Sequence, residues 1–202
     1  MVQDKNDFIK KISLVETVTV ELGCGNDKRN ISYIGIDILD YPCVDIVGDV
    51  FEVLKKIPDQ SIDTIYSSHF VEHIDNLSLL IDEIFRVIKV GGQVEIVVPH
   101  FSNPHFYSDY THKSFFGLYT MSYLANDKIF KRKVPDYKKA KMFDLESVDI
   151  IFKSNRPFYV RHAVKRILGL FFNSTNYLKE LYEENFCYIF PCYEIKYILR
   201  KK

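Results

Sequence analysis

Val18-Thr-Val-Glu-Leu22 alternates aliphatic with polar side chains and runs directly into Gly23-Cys-Gly25. The alternation predicts a short buried strand over 18–22, and the two glycines predict a sharp turn where it leaves a sheet. Glycine tolerates positive φ and lets a ligand lie against bare backbone where a Cβ would intrude. A second aliphatic run, Tyr33-Ile-Gly-Ile-Asp37, ends on a carboxylate twelve residues beyond Gly25. A carboxylate at the tip of a second strand is placed to accept both hydroxyls of a ribose. Strand, Gly-x-Gly, strand and terminal Asp together predict an α/β chain with a nucleoside on its first turn.

Two ligands compete for such a turn. A dinucleotide site wants Gly-x-Gly-x-x-Gly, with a helix N-terminus facing the pyrophosphate. Here Lys28 holds the third glycine position, and the gap from Gly25 to the second run is too short for a crossover helix. Glu21, just before the glycines, would repel a phosphate but would tolerate S-adenosylmethionine, which carries a sulfonium and an ammonium. Glu21-Leu-Gly-Cys-Gly25 resembles the Glu/Asp-x-Gly-x-Gly first motif of the class I S-adenosylmethionine-dependent methyltransferases. The resemblance implies a Rossmann-like α/β fold: a seven-stranded, mostly parallel sheet with an antiparallel C-terminal strand pair and helices on both faces. It further implies a single domain over 1–202, with cofactor contacts from Glu21, Gly23, Cys24, Gly25, Asp37 and Ile38.

Zero net charge conceals a split. Residues 1–100 hold 17 Asp and Glu against 9 Lys and Arg, leaving residues 101–202 with 10 against 18. A cation-friendly half would thus face an anion-friendly one, although solvated faces give the same count. Cys24, Cys43, Cys187 and Cys192 make no Cys-x-x-Cys pair, which fits a reduced, cytoplasmic setting. Asp4, Lys5 and Asp7 at the start argue against a secretory leader, and no apolar run reaches membrane-spanning length.

Residues 4–13 read as a short amphipathic helix, 44–47 as a third strand, 50–56 as a helix and 62–66 as a fourth strand. The resemblance makes Asp49 a candidate for the adenine amino group, with Val50 beside it. An N-cap for the helix after it is an equally natural and compatible role. His69-x-x-Glu72-His73 matches the inverted zinc-protease pattern. However, it follows a buried strand at once, and no third zinc ligand stands on a later long helix. The aliphatic-Glu-His-Ile form of Val71-Glu72-His73-Ile74 resembles the methyltransferase pattern instead, which implies cofactor contacts from Ser67 and His69 and places Glu72 and His73 near the sulfonium. Apolar residues at three- and four-residue spacing predict a helix over 77–89, stopped by Gly91-Gly92, and then a fifth strand over 94–98. Glu83-Ile-Phe-Arg86-Val-Ile-Lys89-Val-Gly-Gly92 is similar to the family's Glu-x-x-Arg-Val-Leu-Lys-Pro-Gly-Gly, with Val90 in place of proline.

The segment 100–116 concentrates polar and aromatic chemistry: His100, His105, Tyr107, Asp109, Tyr110 and His112. It resembles the Pro-His-Phe…Asp-Pro-Thr-His-Lys stretch of a subgroup of small methyltransferases associated with glycan modification, with Tyr110 replacing that proline. Three readings stay open. Asp109 and His112 could tie the loop by a hydrogen bond or orient a substrate; a histidine could serve as general base; or His100, His105, Asp109 and His112 could hold a metal. No metal ligand set is assigned from the sequence.

Residues 126–141 read as a basic linker, 145–152 and 193–199 as the antiparallel pair, and 160–181 as helical. Segment 100–141 is expected to form an acceptor-side flap, and 155–190 a helical insertion before the last strand. The expected activity is methyl transfer to an oxygen or nitrogen of a small or glycan-type, anionic acceptor. His112, His100 and His73 are candidate bases, Asp109 an orienting group, and Phe70 or Tyr107 aromatic faces for the sulfonium. Alternatives are a regulatory module that binds the cofactor without turnover, or a nicotinamide-dependent oxidoreductase. The excess of Lys and Arg over 128–166 beside Ile167, Leu168, Phe171 and Phe172 fits a helix packed on its own sheet with its lysines in water, and equally fits peripheral contact with the inner face of a membrane. Nucleic acid is disfavoured because its phosphates leave the apolar side unexplained.

Overall fold

The computed structural model describes residues 2–137, 140–154 and 156–202. Lys138 and Lys139, part of the basic stretch, lie outside the described residues, as does Asn155 at the start of the expected helical insertion. Nine strands form one sheet: β1 (Gln3–Asp4), β2 (Thr19–Leu22), β3 (Ile34–Asp37), β4 (Ile46–Val47), β5 (Ile62–Ser68), β6 (Ile88–Pro99), β7 (Asn126–Asp127), β8 (Phe143–Ile151) and β9 (Glu194–Lys201). Their order is β1-β4-β3-β2-β5-β6-β9-β8-β7. The inner seven are the expected sheet. The count rises to nine because the two-residue strands β1 and β7 extend its edges, β7 within the stretch read as a linker.

Strands β3, β2, β5 and β6 pair in parallel, so their carboxyl ends share one edge. β9 runs antiparallel to both β6 and β8, as the C-terminal pair was expected to. The chain leaves β2 toward β3 and β4, then returns to place β5 on the other side of β2. That reversal opens a crevice at the carboxyl ends of β2 and β5, where sheets of this kind take ligands. Val20, Leu22, Ile36, Ile65, Val94 and Ile96 are buried with almost no exposure, as strands covered on both faces require.

The helices are α1 (Phe8–Lys11), α2 (Val50–Leu54), α3 (Leu77–Val87), α4 (Tyr159–Asn173) and α5 (Asn176–Asn185). The helix expected over 4–13 shrinks to α1 and a 3-10 turn, because Asp4 belongs to β1 and accepts the Phe8 and Ile9 amides. The single helix expected over 160–181 breaks in two where Thr175 turns extended and its hydroxyl caps Leu178 N at 3.1 Å.

Gly91-Gly92 does not end α3. The helix stops at Val87, Ile88 turns extended, and the glycines fall inside β6, where pairing with β5 skips from Ile88 to Gln93. A lysine from the far end of the chain closes the helix instead. Lys201 Nζ donates to the carbonyls of Phe85 at 2.6 Å and Ile88 at 2.8 Å, with the Phe85 ring beneath it. Gly91, at φ 76°, only makes the bulge. Lys201→Met should therefore remove both hydrogen bonds to the end of α3 and cost about 1–3 kcal/mol. A lower urea midpoint at unchanged m-value is the expected result, and an unchanged midpoint would refute this account.

Candidate active site

Between β2 and β3 no helix intervenes, so the turn offers no helix N-terminus to a pyrophosphate. Gly23 and Gly25 both sit at positive φ, 68° and 58°. Their reasons differ. A Cβ on Gly23 would lie 2.4 Å from the Phe70 side chain, whereas a Cβ on Gly25 would meet open space. Gly23 thus lets the loop after β5 pack down onto the turn, and Gly25 leaves the ligand side bare. Lys28, at the missing third glycine, donates to Tyr33 O at 2.9 Å and Asp45 at 2.7 Å, pinning the short loop to the next two strands.

Asp37 stands at the tip of β3. Its Oδ2 accepts the Gly25 amide at 2.8 Å and its Oδ1 the Leu39 amide at 2.9 Å. The carboxylate therefore holds the turn, and each oxygen retains a lone pair for a ribose hydroxyl. Ile38 beside it is exposed. Glu21 is buried and accepts the Arg29 amide at 2.9 Å; burial raises its pKa against that hydrogen bond. Cys24 packs inward, its thiol pushed up to about 12 chiefly by burial, so only its backbone faces the turn. Asp49 caps α2, accepting from Phe51 N and Glu52 N, and Val50 is buried. Ser67, at the end of β5, is buried with no hydrogen-bond partner for its hydroxyl among the described residues.

The loops after β5 and β6 enclose a cavity of about 320 Å³ lined by His69, Glu72, His73, His105, Asp109 and His112, among others. His69 takes φ 53°, so the chain turns before the 3-10 segment Val71–His73. The i, i+4 helical pair that a zinc-protease pattern requires does not form. His69 Nε2 stands 2.6 Å from Glu194 at the start of β9, and Nδ1 stands 3.4 Å from Glu72. The Glu194 bond first, then Glu72, raises its pKa to about 9, so it is a cation at neutral pH. Burial would raise Glu194, but hydrogen bonds from His69 and Lys153 outweigh it and hold that carboxyl low.

Asp109 meets His112 through its backbone, its carbonyl accepting the His112 amide at 3.4 Å, and not through a side-chain hydrogen bond. Its Oδ2 is 3.7 Å from His112 Nε2, while its Oδ1 accepts the Thr111 hydroxyl at 2.6 Å and the Thr111 amide at 2.9 Å. Thr111 Oγ has a single proton, and the carboxylate takes it. The 2.8 Å contact from Thr111 Oγ to His73 Nδ1 must then be donated by the imidazole. His112 Nδ1 lies 2.8 Å from the Phe106 carbonyl, which can only accept. Both rings thereby carry a proton on Nδ1, so in the neutral imidazole the lone pair lies on Nε2.

His100 is not part of this group. It is fully buried, with Nδ1 2.8 Å from Ser102 Oγ and Nε2 3.1 Å from Glu183 on α5. Glu183 also accepts the Leu118 amide at 2.7 Å, fastening the loop to the helices. Tyr107 is exposed and donates to Phe101 O. Sequence reasoning missed Glu183 and Glu194, both brought to the loop by elements far along the chain. The one available signal was Glu194, the single carboxylate of the final strand.

A family model described as "Methyltransferase domain" matches residues 20–96, from β2 through most of β6. No curated protein sequence matches this one. Among solved structures, an S-adenosylmethionine-dependent methyltransferase from Archaeoglobus fulgidus is similar at TM-score 0.57 and 20% identity, over 98% of this chain and 92% of that one. A putative sarcosine dimethylglycine methyltransferase from Galdieria sulphuraria is similar at TM-score 0.55 and 14% identity, over 97% and 82%. Phosphoethanolamine N-methyltransferase 2 from Haemonchus contortus, in complex with S-adenosyl-L-methionine, is similar at TM-score 0.52 and 14% identity, over 98% of this chain but 52% of that one. Identities this low establish the fold: the chain shares the fold of these S-adenosylmethionine-dependent methyltransferases, and its residues 20–96 match the methyltransferase-domain model.

Proposed function

We propose that this enzyme methylates an oxygen or nitrogen of a small or glycan-type, anionic acceptor held in the cavity behind His73 and His112. The observation that carries the reading is the pair of unshared Nε2 lone pairs beside the crevice between β2 and β5. Open space at Gly25, the Asp37 carboxylate and the unpartnered Ser67 hydroxyl all suit a nucleoside at that crevice. Cofactor contacts are assigned to Glu21, Gly23, Cys24, Gly25, Asp37, Ile38, Asp49, Val50 and Ser67. Bound there, S-adenosylmethionine supplies a methyl carbon on a sulfonium, open to in-line displacement. The chain's own part is to align the acceptor with that carbon and to engage the proton the acceptor loses.

His73 and His112 face the acceptor with basic nitrogens, and Asp109 orients His73 through Thr111. His69, which the resemblance makes a cofactor contact, points instead into the acceptor cavity as a charged group. A second cavity of about 380 Å³ shares Asn103, His105 and Tyr193 with the first and adds Lys153, Arg161 and Lys165. An anionic group on the acceptor would be matched there.

Asp37→Ala should weaken S-adenosylmethionine binding by about 1–3 kcal/mol, roughly 5- to 150-fold, in calorimetry. Equal affinity in a folded variant would sink the cofactor assignment, and preference for a nicotinamide dinucleotide would favour an oxidoreductase. Binding without turnover on any acceptor would favour a regulatory module. His112→Ala should lower kcat about 10²- to 10⁴-fold with cofactor affinity unchanged. A drop confined to cofactor affinity would remove His112 from the acceptor side.

One observation favours meeting the acceptor at a membrane surface. No helix among the described residues is long and apolar enough to cross a membrane. On α4, however, Val160, Val164, Ile167, Leu170 and Phe171 are all exposed, whereas Phe172 is buried. Leu168 is half-buried, so the exposed stripe lies beside the one expected from sequence. Arg161 folds over the Phe158 ring at 4.2 Å and Lys165 donates to Lys153 O, so part of the basic excess is spent within the chain. The apolar stripe therefore carries this reading, with each remaining basic residue near an anionic surface adding about 1 kcal/mol. Anionic liposomes should pull the protein down at low salt and less so at high salt. If it stays in the supernatant with both anionic and neutral liposomes at low salt, a soluble anionic acceptor is the better reading.

A further inference from the structure

We propose that Glu72, His73 and His112 form a binding site for one first-row divalent cation. One ligand atom from each residue lies within 4.8 Å of the other two, and His112 Nε2 is 4.0 Å from Glu72 Oε1. Two donors each about 2.1 Å from a tetrahedral ion stand roughly 3.4 Å apart, so side-chain movements of under an ångström would close the set. These are not the residues the sequence suggested: His100 and His105 are absent, and Glu72 takes their place.

Glu72 is the independent sign of a ligand. Its side chain is fully buried, and neither carboxylate oxygen has a hydrogen bond among the described residues. A buried carboxylate is costly unless positive partners or hydrogen bonds meet its oxygens. The nearest cation is His69, whose Nδ1 is 3.4 Å from Oε1 but whose Nε2 is committed to Glu194. That leaves Oε2 facing no partner.

The surroundings match what metal-binding histidines need. A ligating imidazole donates its other N–H to a carbonyl or carboxylate, which fixes the tautomer and aims the lone pair. His112 donates to the Phe106 carbonyl, and His73 donates through Thr111 to Asp109. Asp109 Oδ2, 3.7 Å from His112 Nε2, is a nearby fourth oxygen. Two imidazoles and a carboxylate suit Zn²⁺, Mn²⁺, Fe²⁺ or Co²⁺, and suit Mg²⁺ and Ca²⁺ poorly. Three ligands leave coordination positions open toward the 320 Å³ cavity, where an acceptor oxygen could enter. The role, not the binding, rests on the proposed function: His73 and His112 would act on the acceptor through the cation.

The test titrates metal-free full-length protein with Co²⁺, followed by visible absorption and thermal melting, with Zn²⁺ and Mg²⁺ as competitors. One equivalent of Co²⁺ should bind at roughly micromolar affinity and raise the melting temperature, with displacement by Zn²⁺ and not by Mg²⁺. Glu72→Gln should abolish the band and the shift. Without metal it should melt no lower than the parent, because it removes a buried, poorly matched charge. Thr111→Val, which keeps all three ligands, should weaken binding about 10- to 100-fold. No Co²⁺ band at millimolar metal, or binding undiminished by Glu72→Gln, overturns the site. Calorimetry with S-adenosylmethionine on the same preparation separates the two ideas. Metal without cofactor binding leaves this site standing and the proposed function fallen; cofactor without metal binding does the reverse.

Discussion

Parallel pairing of β3, β2, β5 and β6 is the constraint on which everything else depends. Parallel strands deliver their carboxyl ends to one edge, so the loop after each strand must cross that edge. Here those loops carry Gly23 and Gly25, Asp37, Ser67 through His73, and His100 through His112. The molecule places its chemistry there because the backbone leaves it no other place for short connections. The reversal between β2 and β5 adds a gap, and Phe70 packed against Gly23 ties the glycine turn to the histidine side.

A long polar loop cannot hold a shape through its own backbone, and this one borrows stiffness from the end of the chain. Glu183 on α5 takes His100 and Leu118 N; Tyr197 on β9 donates to Gly117 O at 2.7 Å; Glu194 takes His69. Each is a partly buried polar contact spanning roughly 65 to 125 residues of sequence, which a low-dielectric setting strengthens when every partner is present. The antiparallel insertion of β9 between β6 and β8 is what brings these groups within reach. The final strand therefore completes the sheet and braces the histidine-bearing loops, and Lys201 at its far end closes α3 by the same logic.

How far the sequence spoke depended on the range of the interaction. The β2 turn, the second strand ending at Asp37 and the α3 stripe are written in contiguous residues, and their periods survive in the fold. The stop of α3 was misread because Gly91-Gly92 carries the usual local signal, while the group that satisfies the helix carbonyls is Lys201. The break at Ser174–Thr175 was local and readable, since threonine before Asn-Tyr-Leu is a capping signal hidden within an apolar-rich run. Glu72 was noticed for its motif, but its burial without a partner depends on walls supplied by β5, β6 and the 100–116 loop together.

The histidines sharpen that difference into chemistry. Four of them, His69, His73, His100 and His112, are interchangeable in composition and lie within 44 residues. Their fates follow from what the second ring nitrogen meets. Glu194 makes His69 a cation. Ser102 and Glu183 engage both nitrogens of His100 and seal it inside. A carbonyl for His112, and a hydroxyl already committed to a carboxylate for His73, force the proton onto Nδ1 and leave Nε2 basic. None of those partners sits at a fixed sequence offset from its histidine: Phe106 precedes His112 by six residues, while Thr111 follows His73 by thirty-eight. A hydrogen count around each ring separates charged, sealed and available imidazoles. That count needs coordinates, because the protons are allotted by neighbours the chain supplies from elsewhere.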